Sequence, residues 1–342
     1  MQARYFKSVR LAITAVLILV AISLAKFIVN LLSAQKNSSA LTIKDPHSAE
    51  PTAWQPPDTS QIPASAEGDL IRYGRSLVAK TSYYLGPKGK VTRISNGMNC
   101  QNCHLDAGTR IWGNNFSAVY STYPQFRARS GTVESVYKRV NDCLERSLNG
   151  RKLDTSSREM QALAAYINWV GHNVPKHTKP EGSGVRTIRF LNRPADTLKG
   201  SLLYMLKCQR CHGKDGQGFL APDSAAYLYP PLWGENSYNT GAGLFRLSHF
   251  AGYIRYNMPF DAPSNSSFLS DEEAWDIAAF VNSQPRPDKK FPEDWPDISR
   301  KPFDYPFGPY ADHFSEQQHK LGIFAPIQQA KSKTEKGKGN GR

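Results

Sequence analysis

Two pentapeptides of the pattern C-x-x-C-H constrain this 342-residue chain more than any other feature. Their spacing lets two thiols add across the two vinyl groups of one porphyrin, while the adjacent histidine falls beneath the iron. A single copy would also suit half of a zinc site, and a thioredoxin-like redox pair would not need the histidine. Two copies predict two covalently bound haem c groups, attached through Cys100-Gln101-Asn102-Cys103-His104 and Cys208-Gln209-Arg210-Cys211-His212.

The segments around the two motifs are also repeated. Residues 160–170 (MQALAAYINWV) resemble residues 274–284 (AWDIAAFVNSQ), and both read as amphipathic helices. Ser270 and Glu273 form a capping box, which predicts where the second of these helices begins. A further helix is predicted before each motif, at 69–80 and 197–207. The chain is therefore predicted to be mainly α-helical, with two tandem cytochrome c-like domains at 67–180 and 181–285.

The segments outside these two domains differ from them in composition. Residues 35–66 hold five prolines and many small polar residues, which predicts an extended linker without a fold of its own. Residues 286–330 are also rich in proline but carry many aromatic side chains, so an extended strap packed over the body is expected. The Lys- and Gly-rich residues 331–342 are predicted to form a disordered basic tail.

The N-terminal residues 1–34 have the pattern of an export signal. Arg4, Lys7 and Arg10 precede a largely apolar stretch, residues 11–32, that is long enough to cross a hydrocarbon core. Ser23-Leu24-Ala25 also has the small-x-small form of a cleavage site, so the segment is either a membrane anchor or a cleaved signal peptide. In both cases the body is expected in the periplasm, and an uncleaved segment would tether it to the inner membrane.

The charge and the cysteine content narrow the functional class. The formal net charge is +14, but residues 1–34 and the last twelve residues each contribute +4, which leaves +6 for the body. A moderately basic body favours an anionic substrate or partner, and we expect no nucleic acid partner. Five cysteines are too few, and odd in number, for a secreted disulfide scaffold.

The second haem has one favoured distal ligand. Met258 lies 46 residues after His212 and is followed by Pro259. A thioether ligand favours reduced iron and a high potential, as an electron-transfer haem requires. His249 is the competing candidate, whereas Met205 precedes the motif.

The first haem lacks a methionine in the corresponding loop, since Met160 lies on the apolar face of the closing helix and is expected in the core. The loop instead contains Cys143, the fifth cysteine, 39 residues after His104. His172 and His177 are alternative ligands, but both follow the closing helix. We therefore predict Cys143 as both a ligand of the first haem and a nucleophile.

Cys143 belongs to a predicted helix over about residues 132–148, ended by Asn149-Gly150. Arg139, Cys143 and Ser147 are spaced four apart and share one face of this helix, and Arg129 lies just upstream. A thiol beside arginines and a ferric iron is expected to ionise to the thiolate, which is the form that binds metal and attacks sulfur.

These residues resemble the dihaem thiosulfate dehydrogenases that form tetrathionate. The similarity runs from Ile71-Arg72-Tyr73-Gly74 to about Ile327, and its specific part is Arg129-x9-Arg139-x3-Cys143-x3-Ser147. The resemblance implies that His104 and Cys143 ligate a catalytic haem, with Arg129 and Arg139 holding thiosulfate and Ser147 nearby. It also implies that the haem of His212 and Met258 passes electrons to a cytochrome or another redox partner. Some members place a lysine before this methionine, but here the residue is Asn257, which argues against a Lys–Met ligand exchange.

Three other functions compete with this interpretation. A dihaem electron carrier would explain both haems and Met258, but it gives no reason for a cysteine among arginines. A cytochrome that conjugates thiosulfate to a carrier protein also uses a Cys-ligated haem, but it needs a partner subunit and fits the Arg/Cys/Ser spacing less well. A haem peroxidase needs an open iron, which a distal thiolate would block.

Overall fold

The computed structural model describes residues 53–222, 226–262 and 268–339, together with Ser23, Ala25 and Lys26. From residue 53 onward the described chain forms one compact unit. The predicted anchor or signal peptide falls almost wholly outside the described residues, so export and tethering stay predictions. No helix within the described ranges is long and apolar enough to cross a membrane.

The described chain is mainly helical, with two short antiparallel hairpins. The helices are α1 Ala66–Ala79, α2 Thr81–Leu85, α3 Leu105–Gly108, α4 Val119–Thr122, α5 Val136–Arg146, α6 Arg158–Val170, α7 Thr197–Lys207, α8 Gln209–His212, α9 Leu247–Asn257, α10 Asp271–Ser283, α11 Glu316–Leu321 and α12 Ala325–Gly339. Single 3₁₀ turns occur at Thr59–Gln61, Cys100–Asn102, Gly243–Phe245 and Ile298–Arg300. The strands are β1 Gln125–Arg127 paired with β2 Thr132–Glu134, and β3 Phe219–Leu220 paired with β4 Tyr227–Tyr229.

Each haem motif is framed by a helix before it and a helix after it, as the sequence predicts. In the first domain α1 packs on α6, and in the second domain α7 packs on α10. The side chains of Ser65, Ser157, Asp196 and Ser270 cap these four helices at their N-termini. The predicted capping box of Ser270 and Glu273 is confirmed, with both reciprocal hydrogen bonds present.

The two framing pairs make the same close contact. A Cβ atom at Gly74 in α1 would lie 2.0 Å from the backbone oxygen of Ala162 in α6. A Cβ atom at Gly200 in α7 would lie 2.0 Å from the backbone oxygen of Asp276 in α10. Only glycine allows the helix backbones to approach this closely, so the repeat extends to the packing of the helices.

Each domain has its own apolar core. The core of the first domain includes Leu77, Leu163 and Met160, and Met160 is fully buried as the sequence predicts. The core of the second domain includes Trp275 and Ile277, which are each 1% exposed.

The predicted linker is not a free tether over its described part, residues 53–66. Trp54 and Ile62 are buried in the core of the first domain. The backbone N–H of Trp54 donates to the oxygen of Glu181 at 2.9 Å, and its indole N–H donates to Asn173. Residues 53–65 contain a single 3₁₀ turn and no long helix, and two large apolar side chains are enough to fix them to the body.

The strap packs over the body, but only its first part is extended. Tyr305 is 4% exposed and Phe324 is fully buried. From Glu316 onward the chain forms α11 and α12, so the prediction of an extended strap is wrong there. The prediction of a disordered tail is also wrong for residues 331–339, which continue α12. Ala, Gln and Lys are good helix formers, and the buried Ile327 anchors the helix to the second domain.

The helix that carries Cys143 is shorter than predicted. It spans Val136–Arg146, and the side chain of Ser135 caps it by accepting from the backbone N–H of Lys138. Residues Thr132–Glu134, predicted to be helical, form strand β2 against β1 instead. β-branched Thr132 and Val133 favour a strand over a first helical turn.

Candidate active site

Both C-x-x-C-H motifs fold into the same turn. In the first motif the backbone N–H groups of Cys103 and His104 both donate to the oxygen of Cys100, at 3.1 and 2.9 Å. In the second, the equivalent bonds to the oxygen of Cys208 measure 3.1 and 3.0 Å. The turn therefore presents two cysteines and a histidine in the same arrangement twice.

The two histidines are oriented as metal ligands. The Nδ1–H of His104 donates to the backbone oxygen of Asn114, and that of His212 donates to the backbone oxygen of Pro230 at 3.0 Å. Each bond fixes the ring and leaves Nε2 as the ligating atom. Burial lowers the pKa of His104 to about 4 and also lowers that of His212, so both rings are neutral at pH 7, as iron ligation requires. These features fit a covalent haem at each motif.

Helix α5 holds Cys143 and Arg139 beside the first motif. Asn141 anchors the helix, because its amide donates to the oxygen of Leu153 at 3.0 Å and accepts from the backbone N–H of Leu153 at 2.9 Å. Cys143 and Arg139 lie one turn apart and are half-buried. Burial is the largest cause of the raised pKa of both motif thiols, Cys100 and Cys103. The charge of Cys143 would raise both pKa values further, because Cys143 lies within electrostatic range of both thiols.

The guanidinium of Arg139 is positively charged and makes no ion pair with a carboxylate among the described residues. The electrostatic interaction with Cys143 is the largest cause of the raised pKa of Arg139. Glu134 and Asp142 also act on Arg139, but both carboxylates pair with Lys138, at 3.7 and 2.8 Å. Within the described part of the chain, no carboxylate lies within 4 Å of this guanidinium. Arg139 is thus available to an anion that approaches Cys143.

Ser147 and Tyr123 are the neighbours of Arg139 and Cys143. Ser147 caps α5, and its backbone N–H donates to the oxygen of Cys143 at 2.9 Å, which keeps Ser147 on the same side as Arg139. Tyr123, which the sequence did not single out, lies within electrostatic range of both Arg139 and Cys143. Burial raises the pKa of Tyr123, so its phenol stays protonated and can donate a hydrogen bond.

Arg129 is engaged by the strap. Its Nε donates to Asp294 Oδ2 at 3.0 Å, and its guanidinium lies 5.4 Å from the ring centre of Trp295 and 5.3 Å from that of Tyr305. The same carboxylate accepts two bonds of 2.8 Å from Arg146, a residue that sequence reasoning missed. The structure therefore brings Arg139 to Cys143 but joins Arg129 to Arg146 through Asp294.

Helix α9 of the second domain lies against the first domain. His249, Tyr253 and Asn257 are spaced four apart on one face. The phenol of Tyr253 donates to the oxygen of Asn102 at 3.1 Å, and the amide of Asn257 donates to the oxygen of Trp112 at 3.2 Å. His249 continues this face and lies within electrostatic range of Arg139. The spacing of four positions between these three residues could have predicted from the sequence that they share one face of the helix.

Met258 packs against the core of the second domain. It follows the last residue of α9 and has an extended backbone, whereas His249 lies within the helix on the face that meets the first domain. The remaining candidate ligands lie at the surface, since Met205 is 43% exposed and His172 and His177 are also exposed.

Two tandem helical domains, each with a C-x-x-C-H turn and an oriented histidine, define a dihaem c-type cytochrome. The SoxA/TsdA cytochrome c domain family matches residues 90–175, and the cytochrome c family matches residues 198–285. The chain is 38% identical over 247 residues to the thiosulfate dehydrogenase of Allochromatium vinosum, covering 70% of this chain and 88% of that protein. It is 35% identical over 256 residues to the thiosulfate dehydrogenase of Stutzerimonas stutzeri, covering 73% and 78%.

A solved structure gives the same assignment. Thiosulfate dehydrogenase (TsdBA) from Marichromatium purpuratum superposes with a TM-score of 0.64 at 30% identity, over 72% of this chain. The match covers 52% of the solved chain, so this chain spans about half of its length. The protein belongs to the thiosulfate dehydrogenase family, and it carries two covalently bound haem c groups.

Proposed function

We propose that this protein couples two thiosulfate ions oxidatively to one tetrathionate ion at Cys143. The observation that carries the proposal is the pair formed by Cys143 and Arg139, which lie one turn apart on α5, with no carboxylate within 4 Å of the guanidinium among the described residues. The thiosulfate dehydrogenase names of the relatives support the same substrate.

The positive charge of Arg139 offsets the repulsion between the anions that must meet in the reaction. Two thiosulfate dianions must approach each other and a thiolate, and each brings two negative charges. A guanidinium binds a sulfonate group through parallel N–H···O bonds and offsets part of this repulsion. The half-buried phenol of Tyr123 adds a neutral donor near Arg139 and Cys143.

The sulfur chemistry proceeds in two balanced steps. The Cys143 thiolate and the first thiosulfate form a sulfur–sulfur bond and release two electrons, which gives Cys–S–S–SO₃⁻. The outer sulfur of the second thiosulfate then attacks the outer sulfur of this adduct, and the bond to Cys143 breaks. Tetrathionate leaves with two negative charges, Cys143 returns to the thiolate, and no proton is taken up or released. The reverse sequence reduces tetrathionate.

The proposal also includes a path for the two electrons. The haem groups, when bound, accept the two electrons one at a time. His104 and Cys143 would hold the first haem, and His212 and Met258 would hold the second. A c-type cytochrome or another redox protein in the periplasm then receives the electrons.

Steady-state oxidation tests the proposal on purified holoprotein. Thiosulfate should reduce ferricyanide with one electron per thiosulfate, and tetrathionate should form in the stoichiometric amount. Cys143→Ser should abolish this turnover while both haems stay attached, because serine cannot form the sulfur–sulfur adduct. Full haem loading without any thiosulfate-dependent reduction, with tetrathionate also inert, would instead favour an electron carrier.

A further inference from the structure

His249 is an interior histidine to which the proposed reaction gives no role so far. Its ring makes no hydrogen bond or ion pair with any described residue, although the side chain is half-buried. Neither ring nitrogen is sealed inside the protein, so the ring borders open space rather than packed side chains. Burial lowers its pKa to about 4, and the neutral ring carries one N–H donor at pH 7. An interior polar group without a partner calls for an explanation.

Contacts on both sides of His249 place it at the first haem motif. One turn after it on α9, the phenol of Tyr253 donates to a backbone oxygen within that motif at 3.1 Å. Three positions before it, Arg246 lies 5.7 Å from the ring centre of Tyr305, and Arg129 of the first domain lies 5.3 Å from the same ring. His249 therefore lies between the first haem motif and the arginines around α5, on the face of α9 that meets the first domain.

Arg139 is the neighbour of His249 that can share an anion with it. Burial is the largest cause of the lowered pKa of His249, and the charges of Arg246 and Arg139 lower it further. Arg246 is already paired with Asp304 at 2.8 Å, whereas Arg139 makes no ion pair with a carboxylate among the described residues. The first domain therefore supplies a guanidinium and the second domain a neutral N–H donor to the same region.

The proposed reaction needs two such anion sites. Tetrathionate carries a sulfonate group at each end, joined through two further sulfur atoms, and each sulfonate comes from one thiosulfate. The two sulfonates are separated by the sulfur–sulfur bond that forms between them. A single guanidinium cannot hold both in the geometry of attack, so a second donor is required beside Arg139.

We propose that His249 binds the sulfonate group of the second thiosulfate, so that the two domains share one substrate site. The proposal rests on the proposed function, because it assigns a residue to the second of its two steps. The N–H of His249 donates to the incoming sulfonate and directs the outer sulfur of that thiosulfate towards the adduct on Cys143. In this step the bond between the two outer sulfurs forms and the bond to Cys143 breaks, while His249 neither gains nor loses a proton.

Single-turnover mass spectrometry separates this step from the first. Oxidised holoprotein is mixed with one equivalent of thiosulfate, the Cys143 adduct is detected, and its decay is followed after excess thiosulfate is added. His249→Phe keeps a ring without nitrogen, His249→Leu is a smaller second variant, and His249→Gln keeps an N–H donor. His177→Leu is the matched control, because His177 is exposed in the first domain.

The adduct should form in every one of these proteins. Excess thiosulfate should remove it roughly tenfold more slowly in His249→Phe and His249→Leu, because a hydrogen bond to a charged group is lost. KM for thiosulfate should rise by a similar factor, His249→Gln should recover much of the rate, and His177→Leu should match wild type. As a readout apart from turnover, calorimetric titration of tetrathionate into Cys143→Ser, which cannot form the adduct, should show weaker binding once His249→Phe is added.

Three outcomes would overturn the proposal. The first is decay of the adduct at the wild-type rate in both His249→Phe and His249→Leu. The second is slow decay in Arg127→Gln alone, because Arg127 lies within electrostatic range of Tyr123 and would then be the second anion site. The third is a changed haem potential in His249→Phe before thiosulfate is added, with normal decay of the adduct, which would assign His249 to the haem environment.

Failure of the proposed function gives a different result. If no adduct forms in the wild-type protein while the affinity for tetrathionate still depends on His249, the proposed reaction fails and the anion site stands. If the adduct forms and tetrathionate is released normally without His249, the reaction stands and the role of His249 fails.

Discussion

Replacing Asp294 with asparagine tests how the strap is fixed to the first domain. The carboxylate pairs with Arg129 and Arg146, whose side chains are 14% and 8% exposed. Each arginine also has a buried nitrogen without a hydrogen-bond partner among the described residues, so no second acceptor is at hand. Removing one partner of a buried ion pair costs about 3–5 kcal/mol, and we expect Asp294→Asn to lower the free energy of unfolding by about this amount.

Urea unfolding of the holoprotein, followed by far-UV circular dichroism, measures this loss. Asp69→Asn is the matched control, because Asp69 pairs with Arg72 at 2.8 Å on side chains that are 72% and 44% exposed. An exposed pair contributes about 0–1 kcal/mol, so the control should lose less than about 1 kcal/mol. Equal losses in the two variants would refute the reasoning. A small loss with a large change in KM for thiosulfate would assign Arg129 mainly to the substrate.

The remaining predictions address the site and the helix packing. Arg139→Ala should raise KM for thiosulfate sharply, or lower kcat if the guanidinium acts mainly in the transition state. Unchanged kinetics would show that Arg139 does not act on the substrate. Met258→Gly should lower the potential of the second haem in a redox titration. His249→Gln should leave this potential unchanged, because His249 faces the first domain. The opposite pattern would make His249 the ligand. Gly200→Ala should lower the free energy of unfolding by about 1–3 kcal/mol, because its Cβ meets the backbone of α10, while Gly243→Ala, whose Cβ meets nothing within 4 Å, should be neutral or slightly stabilising.

The features predicted best from the sequence are local. The C-x-x-C-H spacing predicts two equivalent haem attachment motifs, and the structure forms the same five-residue turn at both. The capping box at Ser270 and the apolar face with Met160 depend on neighbours three or four positions away. The helix of Cys143 and Arg139 is predictable for the same reason, although its expected first turn is strand β2.

The features that were missed depend on contacts across long stretches of sequence. Asp294 reaches Arg129 across 165 positions and Arg146 across 148. Nothing in the local sequence of the strap shows which of its carboxylates will be buried or which arginines they will meet. The proline content of residues 35–66 likewise indicated an extended backbone but not that Trp54 would be buried. Composition predicts conformation in such segments, whereas their packing depends on the surface they happen to cover.

The long-range pairs bear directly on the proposed activity, because they decide which arginine can act on a substrate. Arg129 and Arg146 share Asp294, and Arg246 pairs with Asp304 at 2.8 Å. Arg139 alone among these four lacks a carboxylate within 4 Å in the described part of the chain. A half-buried guanidinium without a carboxylate partner favours the approach of an anion, because the anion offsets its charge. The strap therefore pairs with Arg129, Arg146 and Arg246, and among the described residues it leaves Arg139 beside Cys143 without a carboxylate partner.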